Sequence, residues 1–380
     1  MKARGVGRDQ GLGVELRAPF SWWGGKRKFA QSVWQAMGDV ESYIEPFGGS
    51  LAVLLDRPDD YRSRKLEVVN DADAYISNFW RALAADPDAI LRYCDWPHNE
   101  ADLLARHLWL LNTGKERLLR LESDPDYYDA QAAGWWVWGI NAWIGFGWCT
   151  GEGPHTLASV SAGLRRADAA DRGTSPGVAR RVPNMHPAGV HRQIFREDRD
   201  LLRVYLFGLA ERLRHVRVCC GDWRRVLSNG VLAQGKSVGV FLDPPYTKAL
   251  RSGGAKAKKA KAFAVDSPAF DADAGAGADA EDAKDIAADV RAWAIEHGTD
   301  PRLRVALCGY LGEHAMPNYW RPIDRLTIGY LGNKYYERIW VSPACPGDTP
   351  KRMPHTSHLI PRTARVPHVV EENTVGENER

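Results

Sequence analysis

The sequence lacks the features that mark membrane-spanning, secreted or zinc-bound proteins. No apolar run approaches the length of a membrane span, and the N-terminal residues include no signal-type apolar segment. None of the six cysteines belongs to a C-x-x-C pair, which disfavours both a structural zinc site and a disulfide framework. These absences predict a reduced, intracellular protein that holds no metal ion and does not enter a membrane.

A marked excess of either charge is also missing. The chain has 51 Lys and Arg residues against 48 Asp and Glu residues, a formal net charge of +3. So small an excess neither requires nor excludes a polyanionic partner. Tryptophan is abundant, and its 15 residues indicate a broad aromatic core or stacking surfaces. With 380 residues, 44% of them hydrophobic, the chain is long enough for one large domain with an inserted lobe, or for two domains.

Strand-like and helix-like segments alternate along much of the chain. The segments "ESYIEPFGGSLAVLL" and "KLEVVNDADAYISNFWRAL" each read as strand, turn and helix, and a helix at "EDRDLLRVYLFGLAERLRHV" precedes a further strand. The later strands are predicted at "VRVCC", "SVGVFL", "RLRVALCGY", "RLTIGYLG" and "YYERIWVSP". This alternation predicts an α/β domain built on a parallel sheet with helices on its faces.

The composition changes in several segments, which divide the chain. The predicted parts are a mobile leader over residues 1–17, a sheet domain over 18–94 and 195–346, an inserted lobe over 95–194, a disordered low-complexity flap over 249–285 and a disordered tail over 347–380. The lobe contains an Arg-bearing polar loop and a Trp-rich stretch. We predict that its small core is formed by Trp135, Trp136, Trp138, Trp143 and Trp148.

One strand ends in Asp243-Pro244-Pro245-Tyr246. Proline has no N–H group for a sheet ladder, so the strand stops there. A carboxylate, two proline-held carbonyls and an aromatic ring are thereby placed at the carboxyl end of a strand, which is the edge where open α/β sheets bind ligands. A simple strand terminator is the alternative interpretation of the tetrapeptide.

Two earlier turns are typical of nucleotide-type sites. Gly48 and Gly49 in "EPFGGS" lie between a strand and a helix, where glycine lets the backbone approach a ligand, although a tight turn alone also explains the pair. Asp71 ends the next strand, at the place of a ribose-binding acid, and a helix N-cap is its alternative role. The segment "WWGGK" is not a Walker A loop, because Phe20 and Arg27 replace the required Gly and Ser/Thr.

Taken in order, "FSWWGGKRKF", "YIEPFGGSLAVLL", "VVNDAD", "CGDW" and "FLDPPY" resemble the Dam-type, α-group DNA adenine-N6 methyltransferases, and "GNKYYERIWVSP" resembles their phage and prophage members. The resemblance implies a class I S-adenosylmethionine-dependent methyltransferase fold, a Rossmann-like sheet with helices on both faces and an inserted target-recognition lobe. It also implies double-stranded DNA as the partner and a cytoplasmic location in a bacterial or phage-infected host cell. A role in restriction-modification with a cognate endonuclease stays open.

The resemblance further implies roles for individual residues. Its cofactor-binding set is Trp22, Lys26, Phe47, Gly48, Gly49, Asp71, Asp222 and Asp243. Trp22 and Lys26 lie at the methionine moiety, Asp71 takes the ribose hydroxyls, and Asp222 with Trp223 lines the adenine pocket of the cofactor. No metal is implied.

The implied catalytic set is Asp243, Pro244, Pro245 and Tyr246. The adenine amino group is a poor nucleophile because its lone pair is delocalised into the ring. The Asp243 carboxylate and the Pro244 carbonyl accept its two N–H groups and aim the lone pair at the sulfonium methyl, and Pro245 fixes the direction of that carbonyl. Tyr246 offers a face on which the base, turned out of the duplex, stacks.

Three rival functions remain open from the sequence. N4-cytosine methyltransferases share the fold and chemistry but usually carry Ser in place of Asp243. RNA methyltransferases with a DPPY motif generally lack a WxGGK element. A non-catalytic DNA-binding relative has no need to keep Lys26, Asp71, Asp243 and Tyr246 together.

Overall fold

Seven strands and ten α-helices occur in the part of the chain that the structure describes. The computed structural model describes residues 16–20, 22, 25–58, 65–97, 99–124, 126–143, 148–149, 199–246, 282–328 and 334–347. The strands are β1 (Ser42–Glu45), β2 (Leu66–Asp71), β3 (Val216–Cys220), β4 (Val238–Leu242), β5 (Leu303–Tyr310), β6 (Arg321–Ile328) and β7 (Lys334–Val341). Each of the seven strands predicted from the sequence is confirmed.

The helices lie between the strands or in the segment that follows β2. They are α1 (Arg27–Met37), α2 (Ala52–Leu55), α3 (Ala74–Ala85), α4 (Pro87–Cys94), α5 (Glu100–Trp109), α6 (Lys115–Leu118), α7 (Ala130–Ala142), α8 (Arg199–Leu213), α9 (Asn229–Leu232) and α10 (Asp282–His297). A π-helical turn (Leu110–Gly114) joins α5 to α6, and 3₁₀ turns cover Leu119–Glu122 and Trp223–Leu227.

Acidic residues begin several of the helices. Asp73 precedes α3, and its carboxylate accepts hydrogen bonds from the backbone N–H groups of Tyr75 and Ile76. Asp86 caps α4 in the same way, and Pro87 takes the first helical position, where its missing N–H costs nothing. Such caps satisfy N–H groups that have no partner inside the helix. The chain therefore passes from β2 into α3 within a few residues.

The strands form one sheet in the order β3-β2-β1-β4-β5-β7-β6. Strands β1 to β5 pair in parallel, and β7 runs antiparallel to both β5 and β6. The predicted parallel sheet is thus confirmed for five strands, while β7 enters between β5 and β6 and makes the sheet mixed. The chain leaves β1 toward β3 and then returns to β4 on the other side of β1. Ligands of open α/β sheets bind in the crevice at such a reversal, outside the carboxyl ends of the strands.

Helices cover both faces of the sheet. Gly239 in β4 lies against α1, because a Cβ added there would be 2.8 Å from the sulfur of Met37. The next residue, Val240, belongs to a buried cluster that includes Val290 and Ala294 of α10. Successive strand residues point to opposite faces, so α1 and α10 pack on different sides.

The helical segment after β2 is joined to the sheet domain by aromatic contacts. Helix α7 packs against α3 and α4. Of the five tryptophans predicted to form a lobe core, Trp136, Trp138 and Trp148 are buried, and Trp135 and Trp143 are half-buried. The Trp136 ring lies 5.0 Å from that of Phe20 and 5.9 Å from that of Phe79 in α3. The cluster is therefore shared with the sheet domain and is not a separate core.

Several predictions fall partly or wholly outside the described residues. These are the leader except residues 16–17, the Arg-bearing loop over 163–193, the flap up to residue 281 and the tail after residue 347. The last four residues assigned to the flap, 282–285, begin α10, so the predicted disorder is wrong there. No helix among the described residues combines the length and the apolar character needed to cross a membrane.

Candidate active site

The Asp243–Tyr246 turn follows β4 at the edge where the strand order reverses. Pro244 and Tyr246 are buried, and the Asp243 side chain keeps 20% of its surface exposed. Its Oδ1 atom accepts a hydrogen bond from the Tyr246 hydroxyl at 3.2 Å and lies 3.0 Å from Nζ of Lys26. Burial raises the pKa of Asp243, and the neighbouring ammonium of Lys26 works against that rise. The turn thus places a carboxylate in contact with a buried ammonium and a tyrosine hydroxyl.

Lys26 reaches this turn from the start of α1. A turn closed by the Gly25 amide, which donates to the Trp22 carbonyl at 3.0 Å, precedes the helix. The side chain of Lys26 is only 3% exposed, and its Nζ also lies 3.5 Å from Oε1 of Glu337. Burial works to lower the pKa of Lys26, but the carboxylates of Asp243 and Glu337 outweigh it, so the pKa is raised. Lys26 is therefore a permanent cation at neutral pH.

Tyr246 is enclosed by its neighbours. Nζ of Lys26 lies 4.8 Å from the ring centroid, and the ring of Tyr310, at the end of β5, lies 4.5 Å away at an angle of 60°. Only 8% of the Tyr246 surface is exposed. The ring predicted to stack on a base therefore has little exposed surface in this structure.

The glycine turn follows β1 at the same sheet edge. Gly49 has a φ of +47°, a left-handed conformation that favours glycine. A Cβ added there would be 2.6 Å from the Trp22 ring, so the glycine also lets that indole lie on the turn. The Gly49 carbonyl accepts a hydrogen bond from the indole N–H of Trp80 at 2.9 Å. The structure thus brings the predicted residues Trp22 and Gly49 together.

Asp71 ties this glycine turn to β2. Its Oδ2 accepts a hydrogen bond from the Gly49 amide at 2.8 Å, and its Oδ1 accepts one from the Asp73 amide at 2.9 Å. The cap of α3 is Asp73, so the alternative role of Asp71 as the helix N-cap is wrong. Burial raises the pKa of Asp71 to about 7, and the nearby Asp73 carboxylate adds to the rise.

Glu45, the last residue of β1, is a buried acid at this edge and was missed from the sequence. Its side chain accepts a hydrogen bond from the Tyr43 hydroxyl at 3.1 Å. Burial raises its pKa to about 8; the Tyr43 hydrogen bond opposes the rise, and the carboxylates of Asp243 and Asp71 add to it. Glu45 lies two residues after Tyr43, so both side chains point to the same face of a strand that is otherwise buried. A charged residue at such a position could have been predicted from the sequence to have a functional role.

Glu337 was also missed. It lies in β7, buried and in phase with Ile339 and Val341, whose side chains belong to the core. An acid at an inward-facing strand position is a detectable signal. The partner strand of β7 could not be read from the sequence, however, so nothing placed Glu337 beside Lys26.

The end of β3 contributes the residues predicted to line an adenine pocket. Trp223 is buried, and its ring lies 5.9 Å from that of Phe47 at an angle of 33°. Asp222 is 52% exposed and pairs with Arg224 at 3.2 Å, while its carboxylate also accepts the Arg224 amide. Arg224 forms a second ion pair with Asp289 of α10. Phe47 and Trp223 thus form an aromatic wall, and Asp222 lies at its solvent side.

The comparison with known families now bears on this site. Residues 22–114 match the family described as D12 class N6 adenine-specific DNA methyltransferase. The match covers about a quarter of the 380 residues and is a similarity to this family over that segment. The matched residues include Trp22, Lys26, Gly49 and Asp71, and they end before Asp243. No curated protein matches the chain.

The match confirms the family and the enzyme class predicted from the sequence. The matched family consists of adenine-specific DNA methyltransferases that act on DNA, and the match supports this activity for the chain. The seven-stranded mixed sheet with helices agrees with a class I methyltransferase fold. Among the rival functions, this result favours the adenine enzyme over the cytosine enzyme and the non-catalytic relative.

Proposed function

We propose that the D12-class methyltransferase takes its methyl group from S-adenosylmethionine and transfers it to the N6 amino group of an adenine turned out of duplex DNA. The Asp243–Tyr246 turn holds that base. In this proposal Asp243 and the Pro244 carbonyl accept the two amino N–H groups, and Pro245 fixes the direction of the carbonyl. The residues act by positioning and electrostatics, without a covalent bond to the enzyme.

The contacts of Asp243 carry this proposal. Among the described residues, both Lys26 and Tyr246 contact Oδ1, and the side chain is still 20% exposed. Oδ2 is therefore the oxygen that can accept a hydrogen bond from a bound amino group. Because two partners fix the other oxygen, the carboxylate is held in place before the base arrives, which is the preorganisation that electrostatic catalysis requires.

The charges of the site fit S-adenosylmethionine. Glu45, Asp71 and Asp243 form a group of acids, of which Glu45 is buried and the other two are half-buried. Burial together with repulsion from the other two carboxylates raises the pKa of Glu45 to about 8. Nζ of Lys26 lies 3.0 Å from Oδ1 of Asp243, one of these three. A cofactor with a sulfonium and an ammonium group brings the positive charge that such a group of acids favours.

The residues that would hold the cofactor line the ends of β1 to β3. Gly49 and Asp71 form a joined turn beneath it, Trp22 lies against that turn, and the aromatic wall of Phe47 and Trp223 fits the flat adenine ring. When bound, S-adenosylmethionine supplies an electrophilic methyl group. The chain's own part is to exclude water and to hold the amino group against Asp243.

The helical segment from α5 to α7 belongs to the lobe proposed to recognise the DNA sequence, together with residues that lie outside the described part. The sheet domain over 18–94 and 195–346 is then the catalytic domain. A cytoplasmic location follows from duplex DNA as the substrate. A cognate restriction endonuclease is a partner only if the methylated site is also a cleavage site.

One experiment tests the donor, the base and the turn together. Purified protein is incubated with duplex DNA and S-adenosylmethionine that carries a deuterated methyl group, and the DNA is digested to nucleosides for mass spectrometry. We expect labelled N6-methyladenine from the wild type and none above background from Asp243→Asn. Labelled N4-methylcytosine would contradict the assignment of the base, and equal labelling by the variant would contradict the role of the turn.

A further inference from the structure

Glu337 is a buried acid beside the proposed base site. It lies in β7, opposite Tyr310 of β5 in the antiparallel register, and its side chain is 8% exposed. The next residue in the strand, Arg338, pairs with Asp324 instead. Burying a carboxylate is costly unless charged or hydrogen-bonding groups compensate it. An apolar residue at this position, in phase with Ile339, would carry no such cost. The presence of a carboxylate instead indicates that its contacts with neighbouring groups have a role.

Glu337 shares two partners with Asp243. Nζ of Lys26 lies 3.5 Å from Oε1 of Glu337 and 3.0 Å from Oδ1 of Asp243. The Tyr246 hydroxyl lies 3.5 Å from the first oxygen and 3.2 Å from the second. An ammonium has three donors and can serve both carboxylates, whereas a phenol has a single proton to donate. Two carboxylates therefore share one cation and one phenol.

This sharing affects how well Asp243 can act on a base. An ammonium paired with Asp243 alone draws negative charge toward itself and weakens the carboxylate as an acceptor for the amino group. A second carboxylate competes with Asp243 for the ammonium of Lys26. Lys26 can then stay paired with that second carboxylate while Asp243 accepts hydrogen bonds from the base. Because opposite charges attract strongly at these distances in a buried site, the position of Lys26 controls the acceptor strength of Asp243.

We propose that Glu337 is a positioning residue that holds Lys26 while Asp243 accepts the hydrogen bonds of the target amino group. The inference rests on the proposed function, since it gives Asp243 the role stated there. Glu337 touches neither the base nor the cofactor in this scheme and acts through Lys26. Its removal takes away the carboxylate that competes with Asp243 for Lys26, which lowers the rate of methyl transfer more than it lowers affinity for either substrate.

The test compares Glu337→Gln with Glu337→Asp and with Asp324→Asn, an exposed acid on the neighbouring strand that pairs with Arg338. Single-turnover methyl transfer is measured with saturating cofactor and DNA, and dissociation constants are measured for each. For Glu337→Gln we expect a rate loss of about 10- to 100-fold, smaller than the loss of a direct contact. We expect both dissociation constants to stay within about twofold.

Glu337→Asp, which keeps the charge, recovers part of the rate, and Asp324→Asn matches the wild type.

A double-mutant cycle separates positioning from structural support. In a Lys26→Met background, Glu337→Gln costs no further rate if Glu337 acts through Lys26, whereas additive losses overturn the inference. Equal losses for Glu337→Asp and Glu337→Gln, or an unchanged rate for both, also overturn it. These outcomes require an active wild type. A wild type that transfers no methyl group to adenine overturns the proposed function itself.

Discussion

The Gly49 amide donates a hydrogen bond of 2.8 Å to Oδ2 of Asp71, which joins the turn after β1 to the end of β2. The Gly221 amide, after β3, donates to the Asp71 carbonyl at 3.0 Å. One residue thus connects the carboxyl ends of three neighbouring strands. Both the side chain and the backbone carbonyl of Asp71 therefore help to hold the shape of the proposed cofactor site.

Replacement of Asp71 by Ala should weaken binding of S-adenosylmethionine. The change removes the acceptor that holds Gly49 and also the proposed ribose contact. Hydrogen bonds to a charged group contribute roughly 1.5–3 kcal/mol, so the dissociation constant should rise on the order of 10- to 100-fold. Calorimetric titration near pH 8.5, where Asp71 is ionised, measures the change. Asp73→Ala is the matched control: it should cost about 1 kcal/mol of stability as a lost helix cap and leave cofactor affinity unaltered.

Asp243→Asn should abolish most methyl transfer without unfolding the protein. The amide keeps the size of the side chain but loses the charge that favours the amino protons. Removal of one preorganised electrostatic contact costs on the order of 100- to 1000-fold in rate. Lys26 keeps Glu337 as a partner, so the melting temperature should stay close to that of the wild type. Near-normal turnover by the variant would exclude Asp243 as the acceptor.

Glu45 should make the protein less stable as the pH rises. Its pKa is about 8 in the folded chain against 4.5 as the ordinary value, so the folded state binds the proton more tightly than the unfolded state. The free energy of unfolding therefore falls as the pH rises from about 4.5 to about 8. Each pKa unit corresponds to about 1.4 kcal/mol, which makes the full effect on the order of 5 kcal/mol.

Glu45→Gln should remove this dependence, because an amide does not ionise in the range and can still accept the Tyr43 hydrogen bond. Urea unfolding of both proteins at about pH 5 and about pH 9 provides the comparison. The variant should gain stability relative to the wild type at the higher pH. Parallel pH profiles would show that Glu45 is already ionised in the folded protein.

Glu67, near the start of β2, should matter for stability and not for chemistry. Its carboxylate is buried and pairs with Arg57 at 3.1 Å and with Arg212 at 2.7 Å. Loss of one partner from a buried ionic network typically costs about 3–5 kcal/mol, because a charge is left uncompensated. Glu67→Ala should lower the unfolding midpoint by a corresponding amount, with unchanged turnover at low temperature. Asp88→Asn, which breaks the exposed pair with Arg203, serves as the control and should change neither.

Much of this architecture could be predicted because its signals are local. The Pro244-Pro245 pair ends a strand whatever surrounds it, and glycines mark the turn after β1. Capping was harder to assign, because Asp71 and Asp73 are only two residues apart and either could begin α3. The backbone of Asp73 is extended, with φ −76° and ψ 113°, and this conformation directs its carboxylate to the first helical N–H groups. The sequence alone does not show which of the two residues has this conformation.

The rest could not be predicted because it depends on contacts between distant segments. The insertion of β7 between β5 and β6 is such a pairing, and it alone brings Glu337 to Lys26. The start of α10 was obscured for a different reason. The stretch "EDAKDIAADV" has a low-complexity composition, but alanine favours helix strongly, and packing of Val290 and Ala294 stabilises the helix.

The place of β7 in the sheet sets when the enzyme becomes complete during synthesis. Among the described strands, β6 pairs with β7 alone, and β7 also pairs with β5. When the chain has emerged from the ribosome only through β6, that strand therefore lacks its described neighbour in the sheet. At that stage Lys26 and Asp243 have been made but lack Glu337. A nascent chain attached to the ribosome therefore holds an unfinished charge cluster, and DNA meets a finished one only after the last strand has entered the gap.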